Sequence, residues 1–172
     1  RTELRRKGVP LSKITRRLMS SFGIAHRVIP MSDSPVRTRV RIAGGRELAF
    51  QDYFVRLQCK PRVAGFRFAG SRAAQIPHEL RRLLRSRIEA VVICPSNPFV
   101  SVDPILNLPG LRDVLQACGA SVIAVSPIVA GQALKGPAAK MMTELGLPVS
   151  ALEVARHYRD LLDGFVLDQL DA

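Results

Sequence analysis

Ser96, Asn97 and Ser101 lie close together in the stretch "VVICPSNPFVSVDPIL" at 91–106. A hydroxyl both donates and accepts, and a side-chain amide offers two donors and an acceptor, so this group can read a polar ligand. The same residue types also satisfy backbone groups in turns, which is their competing use. A second loop, "SPIVAGQALKGP" at 126–137, sets Gly131 and Gly136 at G-x-x-x-x-G spacing. A phosphate-cradling loop of that kind continues with Lys and Ser or Thr, whereas Pro137 and Ala138 stand here, so it is no Walker loop. Lys135, next to a helix with Pro137 in its first turn, still predicts a seat for an anion. Other reactive residues are poorly placed. His26, His78 and His157 share no metal-ligand spacing. Cys94 has no base near it in sequence, and Asp33, Asp103, Asp163 and Asp168 qualify for acid–base work by type alone. Cys59, Cys94 and Cys118 form no CxxC pair and are expected as small buried hydrophobes in a reducing cytoplasm.

The elements that must hold these loops are written in the periodicity. "AVVIC" and "SVIAV" are continuous apolar runs, the mark of parallel strands covered on both faces, and "GFVL" is a last strand. Between them lie helical segments. "PHELRRLLRSR" follows Pro77, "PGLRDVLQAC" follows the first loop, and "GPAAKMMTELG" is opened by Pro137 and closed by Gly146. "SALEVARHYRDLL" begins with Ser150 as cap and Glu153 three residues on, a capping box. This alternation predicts a parallel α/β sheet with right-handed crossovers. Ligands of such sheets bind beyond the carboxyl ends of the strands, where both loops fall. Pro95 ends its strand because it has no N–H to donate.

The first part of the chain reads differently. Ile14, Leu18 and Phe22 form a helical stripe, with Ser12 as N-cap and Gly23 as stop. Residues 27–29 are a short strand candidate. "VRTRVRI", Gly44-Gly45 and "RELAF" predict a hairpin, "FQDYFVRL" a helix, and "VAGFRF" another strand. The expected fold is therefore α/β: a Rossmann-like parallel sheet with helices on both faces, plus a small hairpin-containing insertion.

Composition narrows the classes further. With 172 residues and 47% apolar content, the chain can bury a domain-sized core. No apolar run approaches the ~20 residues of a membrane span, so no membrane partner is expected. The balance of 26 Lys and Arg against 14 Asp and Glu is strongly basic, concentrated at 1–17 and in "RRLLRSR" at 81–87. That would suit nucleic acid, but with no Trp and two Tyr, stacking platforms are scarce and nucleic acid is disfavoured. A solvated basic face is the plainer reading.

Four motifs taken in order, "IPMSDSPVRT", "FQDYFVR", "PSNPFVSVDPILNLPGLRDVL" and "VSPIVAGQALKGPAAKMM", with the ending "VARHYRDLLDGFVLDQLDA", resemble the 2-phospho-L-lactate transferase family over essentially the whole chain. The resemblance implies a cytoplasmic enzyme of coenzyme F-420 biosynthesis. It would transfer a phospholactyl or phosphoenolpyruvyl group from a guanosine diphosphate-linked donor to the deazariboflavin Fo, releasing GMP and requiring magnesium. It also implies that residues 1–172 are the carboxyl-terminal part of a single α/β domain, with the amino-terminal half, its magnesium ligands and a Gly-rich loop absent. Ser96, Asn97, Ser101, Gly131, Lys135, Gly136 and Thr38 are the substrate-binding residues then expected, and the fragment alone is expected to be inactive. Two positions depart from the family's habit: Ser34, where Asp is common after Asp33, and Ala130, where Gly is common before Gly131. The oligomeric state stays open between monomer and homodimer. A related nucleotide-sugar-binding regulatory family, the gluconeogenesis-factor family, is the alternative; its loop reads more like Gly-Pro-Gly-Ser, and Ser96-Asn97-Pro98 speaks against it.

Overall fold

The computed structural model describes residues 2–172. Helices α1 (Thr2–Arg6) and α2 (Leu11–Ser21) open the chain. Strands β1 (Arg37–Ile42), β2 (Glu47–Ala49) and β3 (Val63–Ala69) form an antiparallel sheet in the order β2-β1-β3. Helix α3 (His78–Leu84) then leads into β4 (Ala90–Ile93), followed by α4 (Asp103–Leu106), α5 (Leu111–Gln116) and β5 (Ser121–Val125). A two-residue-per-strand hairpin of β6 (Ile128–Val129) and β7 (Gln132–Ala133) precedes α6 (Ala138–Glu144), α7 (Ala151–His157) and β8 (Gly164–Val166). The sheet β4-β5-β8 is parallel throughout, as the apolar runs predict. The predicted hairpin is present, and the chain has the α/β fold expected, with helices packed about a parallel sheet and a small antiparallel sheet inserted before it.

The two sheets share one core. Val40, Leu48 and Val63 of the antiparallel sheet belong to the same buried cluster as Val122 and Ala124 of β5. Phe66 of β3 stacks on Phe99 at a centroid distance of 5.8 Å, and the Val63 N–H donates to Glu144 Oε2 of α6 at 2.9 Å. Ser150 caps α7 as expected, its Oγ accepting the Glu153 N–H at 3.1 Å.

Several expectations are corrected. Residues 27–29 form no strand; strand character in a short apolar segment is expressed only where a neighbour pairs with it, and none does here. Ser12 is not the cap of α2, which starts after Pro10. Ser12 instead donates its N–H and its hydroxyl to the two oxygens of Asp33, at 2.7 and 2.8 Å. A carboxylate brought from a distant loop satisfies a first-turn N–H that a local side chain was expected to serve. Strand β4 is not covered on both faces. It is the edge of its sheet, and Val92 is 55% exposed above an apolar cavity of about 390 Å³ that reaches α3, α4 and α5. The cysteines are free and none is fully buried: Cys94 is exposed, while Cys59 and Cys118 are half-buried. Burial pushes the Cys59 thiol pKa up, which disfavours its thiolate. No helix among the described residues is long and apolar enough to cross a membrane.

The two basic segments converge. Arg16 of α2, Arg27 and Arg82 of α3 border one groove of about 500 Å³. Glu79 in the same groove pairs with Arg16 at 3.0 Å, and His26 is the one aromatic ring in its lining, with no Phe, Tyr or Trp. Arg1 lies outside the described residues.

Candidate functional site

Because β4 and β5 are parallel neighbours, the loops that follow them emerge on the same side of the sheet. Together with the segment after β2 they enclose a cavity of about 480 Å³. Ser96, Asn97 and Ser101 line it from the first loop, and Lys135 and Gly136 from the second. Phe50 and Phe54 close the third side. Thus five of the seven expected residues meet in one place. Gly131 and Thr38 are not among the lining residues. Thr38 sits on β1 opposite Phe68, and Gly131 is a turn residue.

The first loop is built by Asn97. Its Oδ1 accepts the N–H groups of Phe99 and Val100 at 3.0 and 3.3 Å, and its Nδ2 lies 3.3 Å from Met141 Sδ. Asn97 is therefore the cap of a wide π-helical turn, Pro98–Val102, rather than a free recognition group. Pro98 follows the cap, where its missing N–H costs nothing. Phe99 and Val102 are buried and anchor the turn, leaving Val100 and Ser101 toward the cavity. Among the described residues the hydroxyls of Ser96 and Ser101 have no hydrogen-bond partner, so their capacity is available to a ligand.

The second loop is a hairpin in which Ala130 and Gly131 take φ of +49° and +71°. Two positive φ angles in a two-residue loop make the turn whose twist matches the flanking strands. The Ala130 N–H is held by both oxygens of Asp171 at 3.1 Å. Left-handed backbone costs a non-glycine residue about 1–2 kcal/mol, and glycine returns roughly 0.4–1 of that through its freer unfolded chain. Ala130→Gly is therefore expected to stabilise by about 0.5–1 kcal/mol, a rise of about 1–4 °C in Tm. Differential scanning calorimetry checks this, and a fall in Tm would contradict the turn geometry.

The anion seat is reduced by the structure. Pro137 caps α6 instead of standing in its first turn, and the helix is seven residues long. What this rim offers to an anion is the charge of Lys135, which is exposed and makes no ion pair among the described residues.

Each aspartate singled out by type is occupied elsewhere. Asp33 holds Ser12. Asp163 Oδ2 accepts the Val122 N–H at 2.8 Å, splicing β8 to β5, and Asp168 accepts the Leu170 N–H at 3.0 Å. Asp103 Oδ1 lies 2.8 Å from His157 Nε2, whose ring sits edge-on to Phe99 and Tyr158. Burial raises the Tyr158 hydroxyl pKa well above its ordinary value, with the Asp103 charge adding to the effect, so it stays protonated. Among the described residues no three His, Cys, Asp or Glu come together as a metal site, and the cavity is lined by no carboxylate. A hard divalent cation wants oxygen ligands, chiefly carboxylates, so these residues do not fit magnesium.

The aromatic side of the cavity was not foreseen. Phe50 and Phe54 stack with centroids 5.3 Å apart and planes 23° apart. Their spacing of four residues in a helical segment was legible as a pair on one face, but nothing in the local pattern showed that this face meets the loops at 95–101 and 134–137.

Comparison with known proteins bears on the family of the chain. Residues 2–171 match the family described as 2-phospho-L-lactate transferase CofD. A 2-phospho-L-lactate transferase of Methanosarcina mazei is 39% identical over 99% of this chain and 55% of its own length. One from Methanococcoides burtonii is 41% identical over the same shares. A phosphoenolpyruvate transferase of Thermobifida fusca is 36% identical over all of this chain and 54% of its own length. The chain thus spans about half the length of these relatives. A crystal structure of a UPF0052-family protein from Bacillus halodurans superposes with a TM-score of 0.62, covering 92% of this chain and 48% of that one. At 12% identity it speaks for the fold alone. The motifs around the cavity and the match over nearly every residue lead to one assignment: the chain belongs to the 2-phospho-L-lactate transferase family.

Proposed function

We propose that the cavity between the loops after β4 and β5 is part of the substrate site of a transferase. That transferase moves a phospholactyl or phosphoenolpyruvyl group from a guanosine diphosphate-linked donor to the hydroxyl of the deazariboflavin Fo, with GMP leaving. The observation that carries this reading is the convergence of Ser96, Ser101, Lys135 and Gly136 on one cavity in a chain of this family. Group transfer at phosphorus depends on positioning and charge neutralisation more than on covalent help, and this cavity has no activated nucleophile. Lys135 supplies positive charge for a phosphate oxygen. Ser96 and Ser101 supply hydrogen bonds that orient the substrate, and Asn97 fixes the turn that presents Ser101. The metal ligands belong to residues outside this chain, as does the rest of a domain of which these residues form the carboxyl-terminal part.

The test is steady-state kinetics in a polypeptide that joins this chain to the amino-terminal half of a relative. A charge-assisted hydrogen bond is worth about 1.5–3 kcal/mol and a neutral one about 0.5–1.5 kcal/mol. Lys135→Ala is thus expected to lower kcat/KM by about 10- to 100-fold, and Ser101→Ala by about 2- to 10-fold. Unchanged kcat/KM in both variants would remove this cavity from the substrate site.

A further inference from the structure

The turn that presents Ser101 sits between two helical registers. The Ser101 N–H reaches Asn97 O at 3.1 Å, the bond of an α-helix, and the Val102 N–H reaches the same oxygen at 3.3 Å, the bond of a π-helix. The Asp103 N–H then closes the wide register on Pro98 O, and α4 follows without a break. One carbonyl thus serves two competing patterns. Wide turns of this kind are rare and cluster at functional sites. A slip by one bond into the α register would turn the two ends of the segment against each other by about 100°, and Ser101 lies between those ends.

Each end is gripped from outside the backbone. The head is held by the Asn97 side chain, whose Oδ1 accepts the Phe99 and Val100 N–H groups. The tail is held from α7, where His157 Nε2 lies 2.8 Å from Asp103 Oδ1 across 54 residues of sequence. A carboxylate only accepts, so Nε2 carries the hydrogen. The same imidazole stands edge-on to Phe99 at a centroid distance of 5.4 Å, so one ring touches the turn near its start and its end. The His157 side chain is 27% exposed and that of Asp103 is 16% exposed. Shielded from water in this way, a hydrogen bond is stronger than at the surface. Neither residue lines the cavity, so contact with a ligand is not what employs them.

We propose that His157 and Asp103 are positioning residues: their bond holds the Pro98–Val102 turn in its wide register and thereby keeps Ser101 on the cavity. The consequence for transfer rests on the cavity being the substrate site proposed above; the register does not.

The experiment is amide hydrogen exchange of the 172-residue chain, followed by NMR, in Asp103→Ala, Asp103→Asn and His157→Phe. Protection at positions 102 and 103 reports the wide-register bonds, because local opening is read amide by amide. Asp103→Ala is expected to lower it about tenfold there and to leave the β5 amides within about twofold of wild type. His157→Phe keeps a ring beside Phe99 but has no N–H, and is expected to do the same. Asp103→Asn still offers an oxygen to the Nε2 hydrogen and is expected to stay within about threefold of wild type. A pair that added only general stability would lower protection in β5 and in the turn alike, and that outcome overturns the proposal. So does unchanged protection in Asp103→Ala, or a loss in Asp103→Asn equal to that in Asp103→Ala. In the joined polypeptide, Asp103→Ala is expected to lower kcat/KM about as much as Ser101→Ala, and the double variant no further than Ser101→Ala alone. Additive losses would overturn the route through Ser101. Wild-type kinetics in Ser101→Ala would sink the substrate-site reading instead, and the exchange result would still decide the register.

Discussion

Assayed by itself with donor, Fo and magnesium, the 172-residue chain is expected to form no phosphodiester-linked product. Joining the amino-terminal half of a relative ahead of it is expected to give turnover. Three observations point the same way. The chain spans 54–55% of the length of its transferase relatives. The cavity carries one ammonium and no carboxylate, too little to neutralise a diphosphate and its leaving group. Strand β4 leaves an unpaired edge and an apolar cavity beside Val92 and Cys94, which a further strand and its neighbours would cover. Removing one electrostatic contact to a transition state costs about 10²–10³ in rate, so losing a set of them takes the isolated chain below detection. Chromatography of the deazaflavin product makes the comparison. Turnover by the isolated chain within tenfold of the joined polypeptide would show that the missing charge is supplied by residues described here.

Gly70→Ala is expected to be the most damaging small substitution in the chain. Gly70 follows β3 with φ +89°, and a Cβ there would sit 2.4 Å from the Pro35 carbonyl oxygen. Relief requires the backbone of the "SDSPV" segment to move, and that segment carries Asp33, which holds α2. Left-handed strain of about 1–2 kcal/mol and overpacking of about 1–3 kcal/mol together give roughly 3 kcal/mol. For a chain of this size that is a fall of about 6–12 °C in Tm. Gly119 separates the two causes, because it shares the positive φ, +71°, with open space where a Cβ would be. Gly119→Ala should cost only about 1 kcal/mol. Equal losses in the two variants would mean that the contact with Pro35 is not as close as described.

The parallel sheet was legible because "AVVIC", "SVIAV" and "GFVL" each express their apolar content locally, and because parallel strands must be separated by helices. The meeting of the two polar loops followed from that topology without any knowledge of side chains. What was hidden depends on partners distant in sequence. Ser12 looks like a cap, but only the fold brings Asp33 to it from 21 residues away. The burial of β4 was overstated because an apolar run does not say whether it lies inside a sheet or at its edge. Asn97 was seen as a recognition group, and its amide turns out to be spent on two backbone N–H groups and a methionine sulfur. Phe50 and Phe54 are hidden for the opposite reason: aromatic residues in a helical segment read as core until the neighbouring surface is known.

The most direct measurement is a ¹H–¹⁵N NMR titration of the chain with Fo. Amide shifts are expected at Phe54, Ser96, Ser101, Lys135 and Gly136, saturating together, with Thr38 and the groove of Arg16, Arg27 and Arg82 unmoved. Shifts confined to that basic groove, or none around the cavity at saturating Fo, would contradict the assignment of the substrate site to these loops.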